Sequence, residues 1–299
     1  MKGENKKTPY ELENSFDRRA LETPHGRRKV KLFSAIIPHD CKSILDAGGG
    51  TGWCTMGVRR GRRVVTLDNS PRSLAHAPGE KILADIDNLP FADRCFDMVL
   101  SSQVLEHLRD EVFHRATSEM TRVARHYLLV SVPYREALET RFVRCNECGC
   151  VFHPHYHCRS FTERQLAALF PGWIMAEWHV FGSLRWAVGV DPLRPARLRR
   201  PKEKLPIAPE TTICPKCGTQ GNRGLSDSEE EPMSFRQRFN ASAKRRLGRV
   251  FPALLAPAYP TFLPQNVAPY WIAALFIREE AAQLDGDSSE YLDGFLHEK

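Results

Sequence analysis

The chain has 299 residues, 42% hydrophobic and 26% charged, with 43 basic against 36 acidic side chains and a formal charge of +7. That length holds one large α/β domain with insertions or two small domains, and the composition is that of a globular protein with a buried core. The N-terminal MKGENKKTPYELENSFDRR is too polar for a secretory signal, and the apolar FPALLAPAYPTFLP holds four prolines and is too short to span a bilayer, so a cytoplasmic protein is expected.

In chain order, residues 1–27 read as a flexible arm, and RKVKLFSAII (28–37) has helical apolar spacing that ends at Pro38. Strand-like runs then alternate with helical or loop segments: KSILDAG (42–48), RRVVTLD (62–68), KILAD (81–85), FDMVLSS (96–102) and HYLLVSVP (126–133). Such alternation predicts a doubly wound α/β fold around a mostly parallel sheet with right-handed crossovers. A core over 28–143 is followed by a cysteine-rich insertion at 144–160 and a further core piece at 161–182, which includes the strand-like IMAEWHVFG (174–182). A second insertion at 183–267 precedes the strand-like APYWIAALFIRE, giving a last core piece at 268–280 and a tail at 281–299.

The first strand runs into DAGGGTG (46–52), where Gly48, Gly50 and Gly52 allow a tight turn and a close backbone approach to a ligand. A dinucleotide fingerprint would need glycine at position 53, which is Trp, and this argues against NAD. Asp68 ends the second strand, where its carboxylate can accept both hydrogens of a ribose diol. Plain turn chemistry is the alternative for the glycines alone, and Asp68 at this spacing counts against it.

These segments resemble the class I S-adenosylmethionine-dependent methyltransferases, in particular the branch of ubiquinone-type and bacterial small-molecule and glycan methyltransferases. The resemblance covers roughly residues 28–182 and resumes near 268–278. It implies a seven-stranded Rossmann-like sheet whose sixth and seventh strands form an antiparallel hairpin. It also implies that Asp46 and the turn of Gly48, Gly50 and Gly52 hold the methionine part of S-adenosylmethionine, and that Asp68 and Asn69 hold the ribose. Asp85 and Ile86 would then flank the adenine, with Ser102 and Gln103 lining the cofactor. No P-loop is present, and a sulfonium nucleoside needs none. Methyl transfer is an in-line displacement governed by positioning, and a base is required only when the acceptor starts out protonated with a high pKa.

His107, just past the fourth strand, is the first base candidate, with helix packing as its plain alternative. Gln103, Glu106 and His107 echo an ExxEH metal cluster of small-RNA methyltransferases, but Gln replaces the first acid, which argues against a divalent ion there.

Nine cysteines in a reducing compartment do not read as disulfides. Cys145-Asn-Glu-Cys148-Gly149 and Cys214-Pro-Lys-Cys217-Gly218 are both CxxCG, and two such knuckles predict a closed, structural Cys₄ zinc site that clamps two insertions into a lid. A local set drawn from Cys145, Cys148, Cys150, Cys158 and nearby histidines is the alternative. Reactive thiols are a third, and Cys41, Cys54 and Cys95 read as inert. Behind the knuckle, FHPHYHCRSF resembles a segment of bacterial methyltransferases of polysaccharide biosynthesis, implying that His157 and Arg159 face the acceptor.

A glycan, lipid-linked glycan or other small molecule is the expected acceptor. The basic LRPARLRRPKEK (193–204) and FRQRFNASAKRRLGR (235–249) allow peripheral contact with an anionic membrane, so the segment 193–249 is the candidate membrane-contact region. RNA is the alternative partner, though no stacking aromatics accompany the basic runs. A non-catalytic cofactor-binding scaffold is a third reading.

Overall fold

The computed structural model describes residues 23–182, 184–185, 205–210, 212–221, 267–268 and 270–282. The arm before residue 23, both basic runs and the acidic SDSEEE (226–231) lie outside them.

The first helix, α1, spans Pro24–Ile36, four residues earlier than the apolar spacing suggests. Thr23 caps it by accepting from Gly26 N at 3.0 Å, and Pro24 begins it, where proline's missing N–H costs nothing. The strands β1 (Ser43–Ala47), β2 (Arg63–Asp68), β3 (Glu80–Leu83), β4 (Phe96–Ser102) and β5 (Ala124–Pro133) follow the sequence runs within a few residues. Between them lie α2 (Trp53–Val58), α3 (Pro71–Ala75) and α4 (Asp110–Val123). Later come the short β6 (Val143–Arg144) and β7 (Val151–Phe152), α5 (Glu163–Ala167), β8 (Trp173–Phe181), β9 (Leu184–Arg185), β10 (Val267–Ala268) and β11 (Trp271–Arg278).

The main sheet has seven strands in the order β3-β2-β1-β4-β5-β11-β8. The pairs among β1 to β5 are parallel, while β11 runs antiparallel to both β5 and β8. Order and direction together are those of a Rossmann-like methyltransferase sheet. Period-2 alternation divides its side chains between two cores. Leu45, Ala47, Val65, Leu67 and Val99 pack with Phe113, Ala116, Met120 and Val123 of α4, whereas Ile44, Val64, Met98 and Leu100 pack with Phe33 and Ile36 of α1 and Val58 of α2. Both faces are therefore covered, and the polar ends of β1, β2, β4 and β5 meet at one edge, where open α/β sheets bind ligands.

No helix among the described residues is long and apolar enough to cross a membrane.

Candidate active site and lid

The glycine turn leaves the end of β1 and is fastened to β2, with Leu67 O accepting from Gly48 N at 2.8 Å and Gly49 N at 3.0 Å. Gly48, Gly50 and Gly52 have φ of +75°, +55° and +70°, a region that disfavours any Cβ. A Cβ at Gly48 would stand 2.6 Å from Val104 Cγ2, and one at Gly52 would stand 2.8 Å from Pro78 Cδ. One at Gly50 would meet nothing closer than Asp68 Oδ2, at 3.9 Å. The turn is thus packed from behind and open towards Asp68.

Asp68 binds that turn directly. Its Oδ2 accepts from Gly50 N at 2.9 Å and its Oδ1 from Ser70 N at 2.8 Å, while burial pushes its carboxyl above the usual range against those bonds. Next along, Asn69 Nδ2 donates to Asp85 Oδ1 at 3.0 Å, and Ile86 is buried. At the end of β4, Ser102 leads to Gln103, whose φ is +62°, fixed by its N–H to Ser131 O at 2.8 Å. Its buried Nε2 has no partner among the described residues. A non-glycine residue in this strained region, with an orphaned donor, fits a polar ligand better than it fits packing. The residues the sequence assigns to the cofactor therefore line one continuous edge, and their open side suits a nucleoside with an amino-acid tail.

The second assembly is the lid. Cys145 Sγ lies 3.7 Å from Cys217 Sγ, and Cys148 Sγ lies 3.5 Å from Cys214 Sγ. All four sulfurs lie within 4.8 Å of one another. Four thiolates at ~2.3 Å from one tetrahedral zinc stand about 3.8 Å apart, so the set fits that ion. The two knuckles are built alike. Gly149 N and Gly218 N bond back to Cys145 O and Cys214 O at 3.0 and 2.9 Å, with φ of +66° and +75° at the glycines. Outside the sulfurs, Arg144 N donates to Pro206 O and Ala208 N to Arg144 O, both at 2.8 Å, and the Tyr156 hydroxyl clamps both Ile213 N and Ile213 O. Cys150 and Cys158 stand outside the four-sulfur set, and Cys41 and Cys54 are buried in the main core.

The chain leaving the first knuckle runs back over the sheet edge, with Cys158 N donating to Glu106 O at 2.7 Å. It carries His153, His155 and His157 against His107, which sits in the 3-10 turn Leu105–His107. The His157 ring lies 5.0 Å from that of His107 and stacks on His153 at 4.6 Å. Glu136, just beyond β5, lies beneath them: its Oε2 is 2.5 Å from His157 Nδ1 and its Oε1 is 3.4 Å from His153 Nε2. Tyr270 and Arg141 also reach Oε1, at 3.3 and 3.2 Å. Burial works against ionisation of Glu136, but the histidine contacts outweigh it and hold the carboxyl well below the usual range. An anionic Glu136 accepts, so the His157 proton sits on Nδ1 and the Nε2 lone pair is left for chemistry.

His107 is pushed down to about 3 by burial first and by His157 next, and His155 to about 4 for the same two reasons. Glu106, fully buried, is pushed up to about 8 by burial. Ligating atoms of Glu106, His107 and His157, and of Glu136, His153 and His157, lie within 4.8 Å inside each trio.

Arg159 takes a different position from the one its sequence neighbours suggest. Its guanidinium binds Asp110 at 2.6 Å and Leu105 O at 3.2 Å and lies 3.8 Å over the Phe113 ring, so it ties the lid to α4. Sequence reasoning missed Glu136 altogether. The available signal was its place three residues after Pro133, at the ligand edge of the sheet.

Residues 45–127 match the family model described as a methyltransferase domain. Among curated proteins, the chain is 36% identical over 117 residues to a malonyl-[acyl-carrier protein] O-methyltransferase of Pectobacterium atrosepticum, covering 37% of this chain and 44% of that one. It is 39% identical over 90 residues to an uncharacterized methyltransferase of a Mycobacterium species, covering 28% and 35%. The chain thus spans less than half the length of these relatives. Similar solved structures include a possible histamine N-methyltransferase of Thermotoga maritima, at 20% identity and TM-score 0.46 over 60% of this chain and 84% of that one. TehB of Haemophilus influenzae gives 19% identity and a TM-score of 0.40 over 57% and 59%. The segment 45–127, which carries the glycine turn and Asp68, thus matches a methyltransferase domain set in a seven-stranded α/β sheet.

Proposed function

We propose that the protein transfers a methyl group from S-adenosylmethionine to an oxygen or nitrogen of a small-molecule, glycan or lipid-linked glycan acceptor. The observation that carries this reading is the open glycine turn fastened to Asp68 at the ligand edge of the sheet. When bound, the cofactor supplies an electrophilic methyl on a sulfonium. In this reading the turn and Asp46 hold its amino-acid end, Asp68 and Asn69 its ribose, Asp85 and Ile86 its adenine, and Ser102 and Gln103 line the space towards the acceptor.

His157, with Glu136 fixing its Nδ1 proton, would accept the acceptor's proton at Nε2. His107, pushed down to about 3 by burial, is too weak a base at neutral pH and would instead hold the ring of His157 in place. Arg159 would act by docking the lid rather than by touching the acceptor. Cys145, Cys148, Cys214 and Cys217 would hold a structural zinc with no open coordination position. A buried base suits a protonated hydroxyl or amine. A carboxylate acceptor, such as the name of the Pectobacterium relative describes, would need no base.

Calorimetric titration with S-adenosylmethionine, followed by transfer of a labelled methyl to glycan, lipid-linked glycan and RNA fractions, tests the reading. Saturable one-to-one binding with label in a glycan fraction is the expected result. Label in RNA alone would replace the acceptor class, and absence of binding would sink the enzymatic reading.

A further inference from the structure

Two buried ionisable side chains, Lys29 and Glu106, lie close to the glycine turn. Lys29, on α1, is 2% exposed. Its ammonium stands 4.8 Å from the centre of the Trp53 ring and 5.6 Å from that of Phe33. Burial pushes its ammonium below the usual range, against the through-space pull of Cys54, Glu106 and Asp46. Glu106 is 0% exposed, and neither carboxylate oxygen has a donor among the described residues. His107 Nε2 stands 3.9 Å from its Oε1, beyond hydrogen-bond reach.

A lone buried charge is costly, and natural interiors rarely keep one without a partner. Here Lys29 rests on two ring faces, and Glu106 lacks a hydrogen-bond donor among the described residues. Lys29 lies against Trp53, which opens α2 directly after the turn. Glu106 follows two residues after Val104, whose methyls support Gly48. Both residues therefore adjoin groups that support the turn.

We propose that Lys29 and Glu106 are the receptor for the zwitterionic amino-acid end of the cofactor, Lys29 taking the α-carboxylate and Glu106 the α-ammonium. This rests on the reading of the turn as an S-adenosylmethionine cradle and adds two charged residues to the backbone and Asp46 contacts it assumes. A zwitterion brings each of them a counter-charge and adds no net charge to the buried site. A nucleoside without the amino-acid tail satisfies neither. Asp46 backs the turn from within the sheet, where a Cβ at Gly49 would meet its carboxylate at 2.7 Å, so the exposed end of the tail is left to other groups.

The test is calorimetric binding to the full chain of S-adenosylmethionine, its decarboxylated form and its deaminated 2-oxo form. Charge-assisted hydrogen bonds of this kind predict that the wild-type protein prefers the intact cofactor by about 10- to 100-fold over either analogue. Lys29→Met should lose that factor for the intact cofactor while binding the decarboxylated form as the wild type does. Glu106→Gln should behave in the same way towards the 2-oxo form. A merely structural ion pair would weaken all three ligands equally, and that result overturns the proposal. Should either variant fail to fold, the wild type still decides, because equal affinity for all three ligands overturns it too. No binding of any ligand would instead refute the cofactor reading beneath it.

Discussion

The glycine turn and the lid solve the same problem, holding groups at the sheet edge, by opposite means. The turn uses residues 46–68, close in sequence, and its geometry follows from three positive-φ glycines and one carboxylate that accepts from the turn's own backbone. The lid joins Cys145 and Cys148 to Cys214 and Cys217 across 66 and 72 residues, and then carries three histidines back over Glu106 and His107. A local device can be specified by a short motif, whereas a distant one needs a cross-link to fix its position. Under the proposed function the difference should separate binding from chemistry: the turn would bind cofactor, and the lid would equip the acceptor side.

The sharpest challenge to that division is His157→Ala. General-base loss predicts a fall in kcat of roughly 10²–10⁴, with cofactor affinity by calorimetry unchanged. A matched fall in cofactor binding would erase the distinction between the regions. Asp68→Ala tests the other side. Losing a ribose acceptor and the anchor of Gly50 should weaken cofactor affinity by about 10- to 100-fold, since charge-assisted hydrogen bonds carry ~1.5–3 kcal/mol, while leaving the lid's metal content untouched.

Cys214→Ser addresses the lid's cross-link. Metal analysis should give about one zinc per chain in the wild type and none in this variant, because three thiolates no longer close the tetrahedral site. Protease cleavage near residues 144–160 should then increase while the cofactor titration persists. Full retention of zinc would refute the paired site.

The smallest expected effect is on stability against pH. His107 and His155 have folded values of about 3 and 4, below the ordinary ~6.5. Between those values the unfolded chain binds more protons, so stability falls as pH drops below about 6.5. Glu106 works the other way: its folded value of about 8 exceeds the ordinary ~4.3, and stability is lost as pH rises towards 8. Melting temperature should therefore peak near pH 6.5, and Glu106→Gln should flatten the alkaline limb and steepen the acid limb, since Glu106 acts over the whole span from about 4.3 to about 8. A monotonic profile would contradict this balance.

Much of the fold was legible because strands buried on both faces leave plain apolar runs. FDMVLSS matches β4 to the residue, and RRVVTLD overshoots β2 by one. The start of α1 was not, because its first turn is set by Thr23 and Pro24 rather than by apolar spacing. The resemblance of FHPHYHCRSF points Arg159 at the acceptor, but α4 offers its guanidinium the carboxylate of Asp110 and the ring face of Phe113.

The sequence by itself determined the strand order's raw material, the glycine cradle with Asp68, and the two CxxCG knuckles, since each depends on spacing within a few residues or on patterning along one element. Only the tertiary structure decided that Glu136 lies under His157, that Lys29 and Glu106 are buried near the turn, and that Arg159 binds Asp110 and Phe113. Those relations join α1, the ends of β4 and β5 and the returning lid, and no local periodicity encodes which side chains meet when separate elements converge on one sheet edge.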